Sequence, residues 1–223
     1  MMLQASKLVA HIEGARVLRE VDLDIRAGET VALIGRNGAG KTSLLRSIMG
    51  TLPLDEGGLL FQGQNLSKRD AYARAGLGIG FAPEERRLIG KFTVMENMMV
   101  PAWACRLKEP QVRERLDLIY SVAPELSQLA PRLGGLLSGG QQKMVALGRA
   151  LMAGDNLVLL DEPFQGLAPA LALRYADSLK TLRARKPDLA ILITESNPKL
   201  LRPMADRVVT IERGEIISQE SSQ

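Results

Sequence analysis

The chain has 223 residues, 46% of them apolar, a formal net charge of +4 and a single cysteine. This length suits one large domain or a core with a small inserted subdomain, and the apolar fraction is enough for a substantial buried core. One cysteine, Cys105, excludes an intrachain disulfide and fits a reducing compartment. No window of about 18 residues is both apolar and uncharged, so no membrane-spanning helix is expected, and the first residues lack the apolar run of a secretory signal. The charges are scattered apart from Glu84-Glu85-Arg86-Arg87. They read as a solvated surface rather than a face for nucleic acid.

In chain order, Val21, Leu23 and Ile25 alternate with Asp22, Asp24 and Arg26, the period of a half-buried strand. Thr30-Val31-Ala32-Leu33-Ile34 is a short apolar run ending at glycine, and predicts a buried strand. A helix is expected from Lys41 to Met49 and a strand from Gly78 to Ala82. From Thr93 to about Ala123 the pattern is helical, broken at Pro101 and Pro110. Within it, Val94, Met95, Met98, Met99 and Val100, with Trp103 nearby, fit either a helical core or an adaptable docking groove. Gln141 to Met152 predicts a helix, Leu157 to Leu160 a buried strand, Ala170 to Arg185 a helix and Ala190 to Thr194 a further strand. Val208 to Ile211 and Glu215 to Ser218 flank Arg213-Gly214, a hairpin signal. The tail after Ser218 is polar and expected to be loosely held. Strands alternating with helices predict an α/β fold with crossover helices. The all-helical stretch from about 93 to 150 interrupts that alternation and predicts an inserted helical subdomain.

Gly35-Arg36-Asn37-Gly38-Ala39-Gly40-Lys41-Thr42, followed by Ser43, matches the phosphate-loop pattern G-x-x-x-x-G-K-[ST] between a predicted strand and a predicted helix. Glycines let the backbone curl so that several N–H groups face one anion. The helix N-terminus adds partial positive charge. Lys41 is expected to reach the β- and γ-phosphates of a nucleotide, and the Thr42 hydroxyl to ligate Mg²⁺. The predicted strand Leu157 to Leu160 ends in Asp161-Glu162, at the carboxyl end where α/β sheets bind ligands. Asp161 is expected to hold Mg²⁺ through water. Glu162 is expected to act as general base on the attacking water.

Leu137-Ser138-Gly139-Gly140-Gln141 lies 20 residues ahead of that strand and just before a predicted helix. With the phosphate loop and the acidic strand end in this order, the whole chain resembles the ABC ATPases, whose signature is LSGGQ. The resemblance implies a P-loop ABC-type ATPase core with a mixed sheet, an antiparallel β subdomain and an inserted helical subdomain. It implies one ABC ATPase domain over 1–223, with its core at 1–92 and 151–223 and the helical part at about 93–150. Ser138, Gly139, Gly140 and Gln141 form a second anion site at a helix N-terminus. In the family this site caps the ATP held by the other subunit of a head-to-tail dimer.

Ala82-Pro83-Glu84-Glu85-Arg86-Arg87 and Asp161-Glu162-Pro163-Phe164-Gln165-Gly166-Leu167-Ala168-Pro169 resemble the "VPEGRR" and "DEPxxGLAP" stretches of ATPases from branched-chain amino acid and urea or amide importers. Glu84 then stands where most ABC ATPases have a glutamine, and its carboxylate can still bind Mg²⁺ or its water. Ala168 replaces the aspartate usual after that acidic strand. In Ile193-Thr194-Glu195-Ser196-Asn197, Ser196 occupies the position of the histidine that contacts the γ-phosphate. It can hydrogen-bond but carries no charge. No aromatic residue precedes Phe61, so the adenine contact falls to His11 by weak stacking, or to Ile12 or Val17 by packing.

The reading that follows is an ATP-hydrolysing subunit, using ATP and Mg²⁺, of a bacterial importer for branched-chain amino acids or related small amides. Its expected place is the cytoplasmic face of the inner membrane. Its expected partners are integral-membrane permease subunits, a second ATPase subunit (a copy or a paralogue) and, indirectly, an extracytoplasmic solute-binding protein; no nucleic acid partner is expected. Two alternatives remain at this stage. One is an ABC-type ATPase acting on nucleic acid or ribosomes, although no inserted heptads, zinc cysteines or second ATPase domain accompany it. The other is a weakly hydrolysing regulatory subunit, suggested by the absent histidine.

Overall fold

A computed structural model describes residues 1–197, 199 and 201–221. Strand β1 (Leu3–Ile12) turns into β2 (Ala15–Ile25), and β3 (Thr30–Ile34) leads into the phosphate loop. Then β4 (Glu56–Phe61) turns into β5 (Gln64–Asn65). The remaining strands are β6 (Ile79–Ala82), β7 (Leu157–Asp161), β8 (Ala190–Glu195), β9 (Arg207–Glu212) and β10 (Glu215–Ser221). Each of the three hairpins closes on a residue followed by glycine: Glu13-Gly14, Gln62-Gly63 and Arg213-Gly214. All six of these residues have positive φ. That is the two-residue turn whose twist matches the twist of the flanking strands.

The strands form two sheets. One is antiparallel in the order β2-β1-β4-β5; the other runs β10-β9-β3-β8-β7-β6, parallel except for the antiparallel edge strand β10. The apolar runs of β7 and β8 are buried on both faces, as parallel strands between two packed layers must be. Alternation along them divides two cores. Leu157, Leu159 and Leu192 join Leu3, Leu18, Phe61 and Leu44 between the sheets, together with helix α1 (Lys41–Met49). Val158, Leu160, Ile191 and Ile193 face the helices on the other side.

Those helices are α3 (Val94–Ala104), α4 (Glu109–Val122), α5 (Glu125–Leu129), α6 (Gly139–Ala153) and α7 (Pro169–Arg185); the short α2 (Ala71–Gly76) precedes β6. Helix α3 begins with a capping box. The Glu96 N–H donates to Thr93 Oγ1 at 3.1 Å, and the Thr93 N–H to Glu96 Oε2 at 2.7 Å. Among the described residues no helix is long and apolar enough to cross a membrane.

Several expectations change. Pro101 does not break α3 but sits within its last turn, and the Cys105 N–H still donates to the Pro101 carbonyl at 2.8 Å. Pro110 is the second residue of α4, where an absent N–H leaves no helical bond unmade. Met98 is fully buried beside Gly148 of α6, so it is core and not a docking surface. Met95 and Met99 are half-buried against the same core. The polar residues Gln219, Glu220 and Ser221 are paired in β10. Strand β1 has no clean alternation because Lys7 takes a positive φ of 49° and the register with β2 shifts there, as at a β-bulge.

Candidate active site

The carboxyl ends of β3, β8 and β7 lie side by side, with Ile34 opposite Glu195 and Thr194 opposite Asp161. The loop after β3, the acids after β7 and the segment after β8 are therefore brought together by the parallel register alone. Gly40 caps α1 with a φ of 109°, a conformation that a β-carbon disfavours. No side chain caps that helix, so its first N–H groups remain available to an anion.

Lys41 is buried within the loop it follows. Its ammonium donates to the carbonyls of Gly35 at 2.6 Å and Arg36 at 3.0 Å, and to Ser196 Oγ at 3.1 Å, and it lies 3.0 Å from Glu162 Oε1. Three ammonium protons face four acceptors, so one is shared. The Ser196 hydroxyl lies 2.7 Å from Asn37 Oδ1 and 2.8 Å from Glu162 Oε1. With one proton it donates to only one of them at a time.

Thr42 Oγ1 donates to Asp161 Oδ1 at 3.1 Å, and Thr194 Oγ1 donates to the same oxygen at 2.8 Å. Asp161 Oδ2 is buried without a hydrogen-bond partner among the described residues. Burial raises the Asp161 pKa, and the bonds from Thr194 and Thr42 oppose the shift. An unpaired carboxylate oxygen beside a hydroxyl is a donor set for a hard cation such as Mg²⁺.

A cleft of about 300 Å³ opens over these groups. It is lined by Val17, Asn37, Gly38, Gly40, Lys41, Thr42, Ser43, Glu84, Glu162 and Gln165. Of the sequence-predicted residues, Lys41, Thr42, Ser43, Glu84 and Glu162 line this cleft, while Asp161 joins them through Thr42 and Ser196 through Lys41 and Glu162. Gly35 and Arg36 contribute carbonyls to Lys41, while Ala39 is buried beneath the loop. Of the three candidates for the base contact, only Val17 lines the cleft. His11 turns to Asp55 Oδ2 at 2.9 Å, and Ile12 is exposed.

Ser138, Gly139, Gly140 and Gln141 do not line the cleft. Ser138 is exposed and caps α6: its Oγ accepts the Gln141 N–H at 3.3 Å, and Gln141 Oε1 accepts the Ser138 N–H at 3.0 Å. Beside the cleft, Arg86 and Arg87 both have positive φ. Arg149 of α6 donates to their carbonyls at 2.5 and 2.8 Å, and Arg86 Nη1 donates to Gln142 Oε1 at 3.0 Å.

Gln165, Thr194, Glu195 and Lys143 escape the sequence reading. The first three lie within the stretches 161–169 and 193–197, and that membership is their only signal. Lys143 has none, since a lysine in a helix reads as surface, whereas here it is buried. Burial lowers its pKa, and Glu195 opposes that shift. Burial pushes Glu195 up to about 7.

Residues 18–165 match the family described as ABC transporter. The high-affinity branched-chain amino acid transport ATP-binding protein BraG of Pseudomonas aeruginosa is 31% identical over 99% of this chain and 93% of its own length. The probable branched-chain amino acid transport ATP-binding protein LivF of Archaeoglobus fulgidus is 31% identical over 96% and 90%. The lipopolysaccharide export system ATP-binding protein LptB of Escherichia coli is 30% identical over 97% and 89%. A crystallised ATP-binding cassette of an ABC transporter in its ADP conformation superposes with a TM-score of 0.81, at 26% identity over 99% of this chain and 91% of that one.

Proposed function

The chain belongs to the ABC transporter family as an ATP-hydrolysing subunit, and we propose that it drives an importer of branched-chain amino acids or related small amides. The two branched-chain amino acid relatives at 31% identity support this solute class, as do the stretches at 82–87 and 161–169. The lipopolysaccharide export relative, at 30%, favours a second reading in which the chain drives extraction of a lipid.

The observation that carries the chemistry is the convergence of Lys41, Thr42, Asp161, Glu162 and Ser196 at the ends of three adjacent strands. The free N–H groups of the phosphate loop and the Lys41 ammonium hold the β- and γ-phosphates. Thr42 and Asp161, with Glu84 at the rim, would hold Mg²⁺, which supplies charge neutralisation on the phosphate oxygens. Glu162 takes the proton of the attacking water. Ser196 orients Glu162 through one neutral hydrogen bond. Val17 packs on the base without stacking, so the phosphates carry most of the affinity.

Ser138 is exposed at the start of α6 and away from its own cleft. This supports a head-to-tail dimer, with a copy or a paralogue, in which residues 138–141 cap the nucleotide of the other subunit. In this reading 1–223 is one ABC ATPase domain, and about 93–150 is a helical subdomain that moves as the dimer closes and reopens.

The permease-facing surface is assigned to the exposed apolar side chains Ile89, Leu133 and Leu136. Their segments are joined by backbone bonds from Gly134 to Phe92 and from Gly135 to Gly90, at 2.8 and 3.0 Å. The subunit works at the cytoplasmic face of the membrane, and a solute-binding protein acts on the permease from the other side.

The test is to purify the tagged chain with its membrane partners, reconstitute them in vesicles and measure ATP-dependent movement of radiolabelled leucine and of lipopolysaccharide. Leucine uptake supports the proposal. Lipopolysaccharide extraction without leucine uptake replaces it with the second reading.

A further inference from the structure

Two buried ionisable groups beside Glu162 take no part in those steps, Lys143 of α6 and Glu195 of β8. Glu162 itself takes a φ of 47°, a left-handed conformation that residues with a β-carbon adopt at a cost. Such a turn persists only where its surroundings over-determine it, and here they do. The Glu162 N–H donates to Thr194, at 3.1 Å to Oγ1 and 3.2 Å to the carbonyl. The Glu162 carbonyl accepts from Lys143 Nζ at 2.6 Å. Two residues on, the Phe164 N–H donates to Glu195 Oε1 at 2.8 Å. The Phe164 ring stands edge-on to Tyr175, with centroids 5.6 Å apart.

An apolar residue at 143 would fill the same space without the desolvation that a buried ammonium suffers. What lysine adds is a charged donor that fixes the peptide plane following Glu162. Glu195 fixes the other end of the turn. A carboxylate that must take a proton from water works only when correctly aimed, and displacement by about 1 Å costs on the order of 10²-fold in rate.

We propose that Lys143, together with Glu195, positions Glu162 by holding the left-handed turn at 162–164, and so ties the helix that begins at Ser138 to the catalytic base of its own subunit. This rests on the reading of Glu162 as the base. The signature helix then has two tasks: its first residues serve the other subunit's nucleotide, and its second turn serves its own subunit's base.

The test uses the assembled transporter and five variants, Lys143→Met, Glu195→Leu, Glu195→Gln, Glu162→Gln and the double variant Lys143→Met/Glu162→Gln. Lys143→Met and Glu195→Leu are expected to lower kcat by about 10- to 10²-fold, with ATP affinity within about twofold of wild type. Glu195→Gln, which still offers an oxygen to the Phe164 N–H, is expected to retain more activity than Glu195→Leu. The double variant is expected to hydrolyse ATP no more slowly than Glu162→Gln alone, because Lys143 acts through that carboxylate. Multiplying losses in the double variant, or ATP affinity falling in step with kcat, overturns the proposal. If Lys143→Met does not fold, as judged by thermal unfolding, Lys143→Gln takes its place and is read in the same way. Full turnover in Glu162→Gln with loss in Lys143→Met would instead remove the base assignment, so the two failures are distinguishable.

Discussion

Lys41 Nζ lies 3.0 Å from Glu162 Oε1, with both side chains almost removed from water. The residue expected to hold the γ-phosphate and the residue expected to activate the attacking water are therefore paired with each other before nucleotide arrives. In the proposed scheme an incoming phosphate would replace Glu162 as the partner of Lys41 and free the carboxylate for water. Lys41→Met should then weaken ATP binding, and it should also destabilise the nucleotide-free protein by about 3 kcal/mol, because removing one partner strands a buried charge. Thermal unfolding beside nucleotide titration checks both effects; unchanged stability and affinity would refute the pairing.

Glu162→Gln should keep ATP binding and slow hydrolysis by about 10²-fold or more, the usual reach of general-base loss. Ser196→Ala should be milder. It removes one neutral hydroxyl from between Lys41, Asn37 and Glu162, a loss of roughly 0.5–1.5 kcal/mol. Steady-state hydrolysis by the two variants side by side decides the order. Equal losses would give Ser196 a direct part in the chemistry.

Ser138→Arg should leave ATP binding by a single subunit intact and block closure of the dimer. In mixed dimers with one mutant subunit, the impaired site should be the one carrying the other subunit's Lys41. Impairment at the mutant subunit's own site would contradict the composite arrangement.

The proposed permease surface and the core differ in burial. Met98→Lys should destabilise the isolated subunit, because the position is fully buried and would hold an unpaired charge. Leu136→Asp, at a position 68% exposed, should leave the melting temperature within about 1 °C, as surface substitutions usually stay within ±0.5 kcal/mol. It should reduce recovery of the permease in pull-down. Normal permease recovery with Leu136→Asp and Ile89→Asp would move the interface elsewhere.

Glu195 makes stability depend on pH. Its carboxyl is raised from 4.5 to about 7 by burial, with Glu162 raising it further, while the Phe164 N–H, Lys143 and Lys41 pull it down. Tyr175 faces it from α7. The folded state keeps a proton that the unfolded chain has released, so this contribution is complete below pH 4.5. It is lost as pH rises through 7, by up to about 3 kcal/mol. Glu195→Gln should flatten this slope and raise stability at pH 8 relative to wild type. Denaturant unfolding at pH 5 and pH 8 measures it, and an unchanged slope would place the titration elsewhere.

The boundaries of β3 and α1 and the loop between them were legible because glycines and an apolar run mark them directly. Arg213-Gly214 announced its hairpin because clear strands flank it. Glu13-Gly14 and Gln62-Gly63 make the same turn but went unread, since β1 is bulged at Lys7 and β5 has only two residues. Long periodic segments declare themselves through local backbone preference; irregular ones form only when a neighbouring strand supplies their hydrogen bonds.

By itself the sequence determined the kind of protein: the order of phosphate loop, signature and acidic strand, together with the chemistry each can perform. It could not decide which buried groups face one another, because hydrophobic periodicity records burial and not partners. Only the parallel register of β3, β8 and β7 set Lys41 against Glu162, and Thr194 against Asp161. Only the packing of α6 on the end of β7 turned Lys143 inward to the Glu162 carbonyl. Only the fold set His11 of β1 against Asp55, a residue 44 positions further along the chain. Contacts at the site span up to 159 residues of chain, as between Asn37 and Ser196. Such contacts depend on how strands and helices are layered, which no local pattern of residues encodes.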